Sequence, residues 1–332
     1  MYLEVRLKDK IIACLKASQD YVSGQELCER LGVSRTAVWK VIRQLQEEGY
    51  QIKAVRNRGY HLLESGDVYT ESEIRNLLKT RWAGSNLVFL NETDSTNNEA
   101  KRLAEHGAPE GTLVVAELQS AGKGRRGRSW TSPKGTGIWM SLLLRPEFEP
   151  YHASMLTLVA AMAVEEAIRV VVGLDCAIKW PNDIVMDGRK LCGILTEMST
   201  DVDTIQYVVV GIGINANIDE FSEEIRDTAT SLLLEGGKPV NRAALAAAVM
   251  ESWENYYQQF LETLDFSILK EAYNQRLVNC GRAVKVLAPK GDYTGLSHGI
   301  NDRGELLVEL EDGQLRKVMS GEVSVRGIYG YA

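Results

Sequence analysis

The chain has 332 residues, 45% hydrophobic and 25% charged, a globular composition long enough for two or three domains. No run approaches the ~18 uninterrupted apolar residues of a membrane span, and the N-terminal MYLEVRLKDK lacks the apolar centre of a secretion signal. A cytoplasmic protein with no membrane partner is therefore expected. The net charge of −7 conceals an asymmetry: residues 1–65 hold 11 Lys+Arg against 8 Asp+Glu, net +3, leaving 27 against 37, net −10, for the remainder. An acidic protein with a basic head suits contact with a polyanion at one end only. The five cysteines and four histidines are scattered without a CxxC pair or metal-ligand spacing, so reduced thiols and no protein-held metal are expected.

The first 64 residues predict three helices and a hairpin. Leu7, Ile11, Ile12 and Leu15 recur at helical spacing. Ser23 caps a short helix carrying Leu27 and Leu31, Gly32-Val33 turns the chain, and Ser34 caps a third helix. On that helix Ala37, Val38, Val41, Ile42 and Leu45 share an inner face, while Thr36, Trp39, Lys40 and Arg43 share the other, with Arg35 at the start. QIKAVRNRGYHLLE follows as two short strands around a basic turn that contains Arg56 and Arg58. This is a winged helix-turn-helix pattern. Its second helix can enter a major groove, so Ser34, Arg35, Thr36, Trp39, Lys40, Arg43, Arg56 and Arg58 are the candidate DNA contacts. The competing reading is a helical interaction domain with a solvated charged face.

After a linker at Ser65-Gly66-Asp67 comes a helix over 70–79, then a mixed region. Strands are expected at 113–118, 137–144, 176–179, 184–186, 191–198 and 204–214, and helices at 153–172, 241–262 and 266–278. Asp187-Gly188 and Asp201-Val202-Asp203 read as hairpin connections, which favours an α+β mixed sheet over a doubly wound one. Residues 281–326 alternate in short strands and fit a small SH3-like β-barrel. Three domains follow: 1–65, 66–280 and 281–332.

Three stretches carry chemistry. In GKGRRGR (122–128), four basic residues and three glycines make poor core and poor helix; glycines let backbone wrap a ligand, and the cations suit a phosphate or carboxylate, or else a generic basic patch. It is no P-loop, because GxxxxGK[ST] is absent. In KWPND (179–183), Pro181 cannot sit in a central strand, so the segment bends and aims Asn182 and Asp183 over the sheet. Lys190 opens the next strand, where an ordinary exposed hairpin lysine is the plain alternative. VVVGIGINA matches a dinucleotide-binding GxGxxA, but no apolar-periodic helix follows and the strands are hairpin-linked, so its glycines are read as close-approach positions.

In this order and spacing GKGRRGRSW, KWPNDI…GRKLCGIL and GIGIN, preceded by Asp94-Ser95-Thr96-Asn97, resemble the biotin–protein ligases. With the winged helix, the resemblance covers nearly the whole chain and points to members that also repress biotin operons. One departure is Lys123, where many members have arginine; it keeps charge but loses the planar fork. The resemblance implies a class II synthetase-like ligase domain using biotin, ATP and Mg²⁺, and transfer of biotin to a lysine of the biotin carboxyl carrier protein of acetyl-CoA carboxylase or a similar carrier. Ser95, Thr96, Asn97, Gln119, Lys123, Gly124, Arg125, Lys190 and Gly193 would hold biotin. Arg126, Arg128, Trp130, Lys190 and Asn215 would hold the nucleotide, and Lys190, Arg125 and Asp183 would serve catalysis. Operator DNA and a ligand-promoted homodimer complete the expected partners. A lipoate-type ligase, or a ligand-sensing regulator without catalysis, stays open.

Overall fold

The computed structural model describes residues 2–18, 20–47, 49–63, 67–201, 204–288, 291–319, 324–327 and 331. The expected linker residues Ser65 and Gly66, and Val202-Asp203 of the expected hairpin, lie outside them. The chain forms two compact units, residues 1–77 with 241–244, and residues 78–240 with 245–332.

The first unit packs α1 (Tyr2–Lys16), α2 (Gly24–Leu31) and α3 (Arg35–Glu47) around Ile11, Ile12, Leu15, Leu27, Val38, Val41, Ile42 and Leu45. Both serine caps form: Ser23 Oγ accepts from the Glu26 amide at 3.0 Å and Ser34 Oγ from the Ala37 amide at 3.2 Å. The wing is the antiparallel pair β1 (Ile52–Val55) and β2 (Gly59–Leu62), with Val55 opposite Gly59. Gly59 has φ 114°, and a Cβ there would lie 2.1 Å from the Val22 carbonyl oxygen, so the wing base accepts only glycine. Helix α4 (Glu71–Leu77) supplies the buried Glu73, which accepts the Tyr50 hydroxyl at 2.6 Å and pairs with Lys16.

The second unit is built on a seven-stranded mixed sheet of β3 (Asn86–Leu90), β4 (Thr112–Ala116), β5 (Gly137–Leu144), β6 (Ala177–Lys179), β7 (Asp183–Met186), β8 (Arg189–Asp201) and β9 (Thr204–Asn215), in the order β3-β4-β5-β9-β8-β7-β6. Every neighbouring pair is antiparallel except β3–β4. Those two are joined through α5 (Thr96–Glu105), which lays Ala100 and Ala104 on Val114, Leu143 and Val209. The expected α+β sheet with hairpin-linked strands is present. The sequence reading had no strand at β3 and no helix at α5. The helix expected at 153–172 starts as a 3₁₀ turn over Pro150–Met155 and becomes α6 (Leu156–Val171), buried along most of its length. No helix follows β9 before α7 (Leu232–Gly236), which removes the dinucleotide-fold alternative.

Helices α8 (Arg242–Thr263) and α9 (Lys270–Arg276) precede the C-terminal strands β10 (Ala283–Leu287), β11 (Tyr293–Ile300), β12 (Leu306–Glu309), β13 (Leu315–Val318) and β14 (Ser324–Gly327). These form one antiparallel sheet in the order β13-β12-β11-β10-β14, built around Val284, Val286, Leu306 and Val308. The small barrel expected here is not closed: among the described residues the edge strands β13 and β14 do not pair, and this part is an antiparallel sheet. No helix of the described residues is long and apolar enough to cross a membrane.

Candidate functional site

The site floor consists of glycines on β8 and β9. Gly193 stands opposite Gly213 in the ladder. A Cβ on Gly193 would come 2.9 Å from the Trp130 ring, one on Gly213 2.8 Å from Trp130 Nε1, and one on Gly211 2.1 Å from Asn97 Oδ1. The GIGIN glycines therefore admit other groups to the sheet surface, as their close-approach reading required.

Over this floor lies a narrow cavity of about 40 Å³ whose lining includes Ser95, Thr96, Asn97, Gln119, Lys123, Gly124, Arg125, Lys190 and Gly193. It adjoins a wider one of about 430 Å³ lined by Arg126, Arg128, Trp130, Asp183 and Asn215 among others. Gly124, Arg125, Trp130, Asn182 and Lys190 belong to both, so they form the wall between them.

The narrower cavity mixes apolar walls, Ile194, Leu195 and Ile212 among them, with polar side chains that are tied together internally. The Thr96 amide donates to Gln119 Oε1 at 2.8 Å, and Gln119 Nε2 donates to Ser132 Oγ at 2.7 Å. Ser141 Oγ sits 2.7 Å from Thr96 Oγ1 and 2.6 Å from Asn97 Oδ1. Asn97 Nδ2 donates to the Leu195 carbonyl at 3.2 Å and to Glu197 Oε2 at 2.8 Å, so both ends of this amide are engaged. Burial would raise the Glu197 carboxyl, but hydrogen bonds from Lys101 and Asn97 outweigh it and hold it below the ordinary range. Ser95, at the start of α5, makes no side-chain bond to the helix. Lys123 is exposed and donates to Asn98 Oδ1 at 2.7 Å.

The dividing wall is cationic. Arg125 Nη1 donates to Asn182 Oδ1 at 2.8 Å, and burial pushes its guanidinium below its ordinary value against the opposing charge of Asp183. Lys190 Nζ lies 2.6 Å from Asp183 Oδ1 and 5.1 Å from the Trp130 ring. Burial alone would raise the Asp183 carboxyl. The charges of Lys190 and Lys179, with hydrogen bonds from Lys190 and Tyr331, reverse that and hold it below the carboxylate range. Arg126 adopts φ 58°, which turns the loop, and Arg126 and Arg128 are exposed. Asn215 Nδ2 donates to the Thr230 carbonyl at 3.0 Å.

Sequence reasoning singled out KWPND as a motif but passed over its Lys179. That side chain is buried, 3.7 Å from Asp183 Oδ2 and 3.9 Å from the Tyr331 ring centroid. Its position four residues before Asp183, across a strand-ending bend, was the available signal.

In the first unit, Ser34, Arg35, Thr36, Trp39, Lys40 and Arg43 are exposed on the outer side of α3, and Trp39, at 52% exposure, is a large apolar side chain left in water. Arg43 covers its ring at 5.3 Å. Arg35 donates to Gln25 Oε1 at 2.6 Å across the helix-turn-helix. On the wing Arg56 and Arg58 are exposed, Arg58 lying 4.4 Å above the Tyr21 ring.

Comparison with known proteins matches each part. Residues 89–215 fit the biotin/lipoate A/B protein ligase family, residues 8–61 an HTH domain, and residues 280–326 the biotin protein ligase C-terminal domain. The chain is 40% identical to the bifunctional ligase/repressor BirA of Bacillus subtilis over 96% of this chain and 98% of that one. Identity to the protein of that name from Escherichia coli is 33%, over 96% of each. Among solved structures, the biotin protein ligase of Aquifex aeolicus with biotin and ATP superposes with a TM-score of 0.65 at 36% identity, covering 73% of this chain and 99% of that one. With a glycine-floored double cavity and a helix-turn-helix head joined in one sequence, the protein belongs to the family of bifunctional biotin protein ligase/repressors.

Proposed function

We propose that the chain is a cytoplasmic ligase that activates biotin with MgATP to biotinyl-5′-AMP, transfers biotin to a lysine of a biotin carboxyl carrier domain, and represses transcription from operator DNA. Three parts share the work: residues 1–65 bind DNA, 66–280 bind biotin and ATP, and 281–332 form the C-terminal domain. The observation that carries the reading is the shared wall: Lys190 and Arg125 line both the narrower cavity and the wider one.

In the first step a biotin carboxylate oxygen attacks the α-phosphorus, and the bond to the β-phosphate breaks as pyrophosphate leaves. Two anions must meet, and fixed cations between them offset the repulsion and the charge of the pentacoordinate state. Lys190 and Arg125 stand there, with Arg126 and Arg128 beyond. Ser95, Thr96, Asn97, Gln119, Lys123, Gly124 and Gly193 hold biotin, Asn97 with its amide fixed by Glu197 and Ser141. Trp130, whose buried Nε1 has no hydrogen-bond partner among the described residues, and Asn215 take the nucleotide. Mg²⁺ would enter on the phosphates of ATP; no group of three or more His, Cys, Asp or Glu able to hold a metal stands among the described residues.

In the second step the acceptor ε-amine forms a C–N bond to the activated carboxyl carbon, the C–O bond breaks, and AMP leaves with the electron pair. Near its unperturbed pKa of about 10.4, only about one lysine in 10³ is neutral at pH 7, so the ammonium needs a carboxylate to orient it and receive the proton. Asp183, held ionised, would orient the ammonium and accept its proton only as the C–N bond forms, when the attacking nitrogen has become far more acidic.

The test is one mass measurement: the protein with ATP, a biotin carrier domain and either biotin or lipoate. The biotin adduct is expected. A lipoyl adduct would reassign the substrate, and no adduct would leave only a ligand-sensing regulator. For the head, a helix-turn-helix reads a palindrome as a dimer, so biotinyl-AMP should act by promoting dimerisation. Sedimentation with and without biotin plus ATP checks this, and a monomer that still gains operator affinity would rule it out.

A further inference from the structure

We infer that Tyr331 is a positioning residue of the ligase site, its phenol holding Asp183 so that Lys190 can leave it for the ligand anions. The inference rests on the ligase reading above.

The observations are local. Asp183 is buried and its two oxygens are divided between two sets of partners. Oδ1 receives Lys190 at 2.6 Å and the Asn182 amide at 3.1 Å. Oδ2 receives the Tyr331 hydroxyl at 2.6 Å and faces Lys179 at 3.7 Å. The Tyr331 ring also covers the Lys179 ammonium at 3.9 Å, and Tyr331 lines the wider cavity beside Asp183 and Lys190. A C-terminal residue thus closes the nucleotide side of a buried charge cluster.

The consequence follows from what the reaction asks of Lys190. To stand between carboxylate and phosphate, its ammonium must exchange Asp183 for the ligand. That exchange leaves a buried carboxylate with one counterion fewer, which is costly unless its remaining partners hold it. Tyr331 and Lys179 occupy the other oxygen and do so. The phenol also fixes which oxygen faces the acceptor amine: with Oδ2 taken, Oδ1 is the one that Lys190 vacates. Tyr331 therefore serves both steps without touching substrate.

Among the described residues, the groups that face this carboxylate include Lys190, Lys179, Arg125, the Asn182 amide, the Cys192 thiol and Tyr331. Burial pushes the Cys192 thiol well up, so it is neutral at working pH. Among these, the phenol is the donor whose hydrogen can be removed while its ring stays. Loss of a donor to a carboxylate raises the carboxyl's pKa. With Lys190 committed to ligand, an Asp183 lacking the phenol should protonate at higher pH, and transfer should fail first on the acid side.

The experiment compares the full-length parent with Tyr331→Phe and Tyr331→Leu. Single-turnover transfer from preformed biotinyl-AMP to a carrier domain is followed from pH 5 to 9, with thermal unfolding alongside. Tyr331→Phe should transfer about tenfold more slowly at the acid end, since a hydrogen bond to a charged group is lost. Its acid limb should move to higher pH with an unchanged unfolding midpoint. Tyr331→Leu, which also uncovers Lys179, should be slower still. Parental rate and profile in Tyr331→Phe would overturn the inference, and so would slower transfer with an unmoved acid limb, the mark of a packing role alone. A parent that transfers no biotin from biotinyl-AMP to the carrier domain would instead defeat the ligase reading itself.

Discussion

The candidate DNA-contact cations of the N-terminal unit stand in water, whereas three cations of the larger unit are drawn partly or wholly into it. Arg35, Lys40, Arg43, Arg56 and Arg58 project from α3 and the wing, all exposed. Arg125, Lys179 and Lys190 instead converge on Asn182 and Asp183 at one wall. Exposed cations act through a diffuse field that salt screens, and each adds a modest share. Buried ones act where the dielectric is low and the geometry is set before the ligand arrives, so each is individually decisive.

The sharpest way to break this contrast is Lys190→Ala. Adenylate formation should fall to below about a tenth of the parental rate in pyrophosphate exchange, because a close charge contact is worth ~2 kcal/mol or more. Retained exchange would mean that the wall is not where the anions meet. Next comes Gly211→Ala, which asks whether the floor is as exacting as the wall. Its methyl would fall 2.1 Å from Asn97 Oδ1, so Asn97 must leave Glu197 or Ser141. Overpacking of this kind costs ~1–3 kcal/mol, and calorimetry should show biotin affinity reduced about tenfold. Unchanged affinity would separate Asn97 from the biotin pocket. The smallest effects belong to the head. Lys40→Ala or Arg43→Ala should each weaken operator binding severalfold at ~0.15 M salt and lower the salt slope by about one. A loss confined to one base position would make that residue a base reader.

The same contrast explains what the sequence made legible. The head was readable because its inner and outer faces differ in polarity at helical spacing, and caps and glycines stand at the element ends. β5 was delimited correctly because all eight of its residues are buried, which makes a run that is apolar but for Ser141. α5 escaped because it opens Thr96-Asn97-Asn98-Glu99 and buries only small residues, Ala100 and Ala104, beside Thr96 and Asn97. Thr96 and Asn97 serve the cavity rather than solvent, so their polarity misreported exposure. β3 escaped with it, since its parallel partnership with β4 is visible only once α5 is a crossover. Lys179 and Tyr331 were hidden for another reason: neither has a local pattern, and their meeting depends on a tertiary fold that brings position 331 to the KWPND bend.

The order of strands in the sheet also bears on how the site comes into being. β7, β8 and β9 follow one another through hairpins, with Met186 opposite Arg189 and Asp201 opposite Thr204. Pairings between chain neighbours cost little loop-closure entropy and form fast. The floor glycines, Lys190 and Asp183 can therefore assemble from a single short stretch of chain. Ser95, Gln119 and Arg125 come from distant segments and must wait for β4 and β5 to dock on β9. A full-length chain refolding from the unfolded state would then shape its floor before its rim, and its affinity for biotin would be the last property of the pocket to mature.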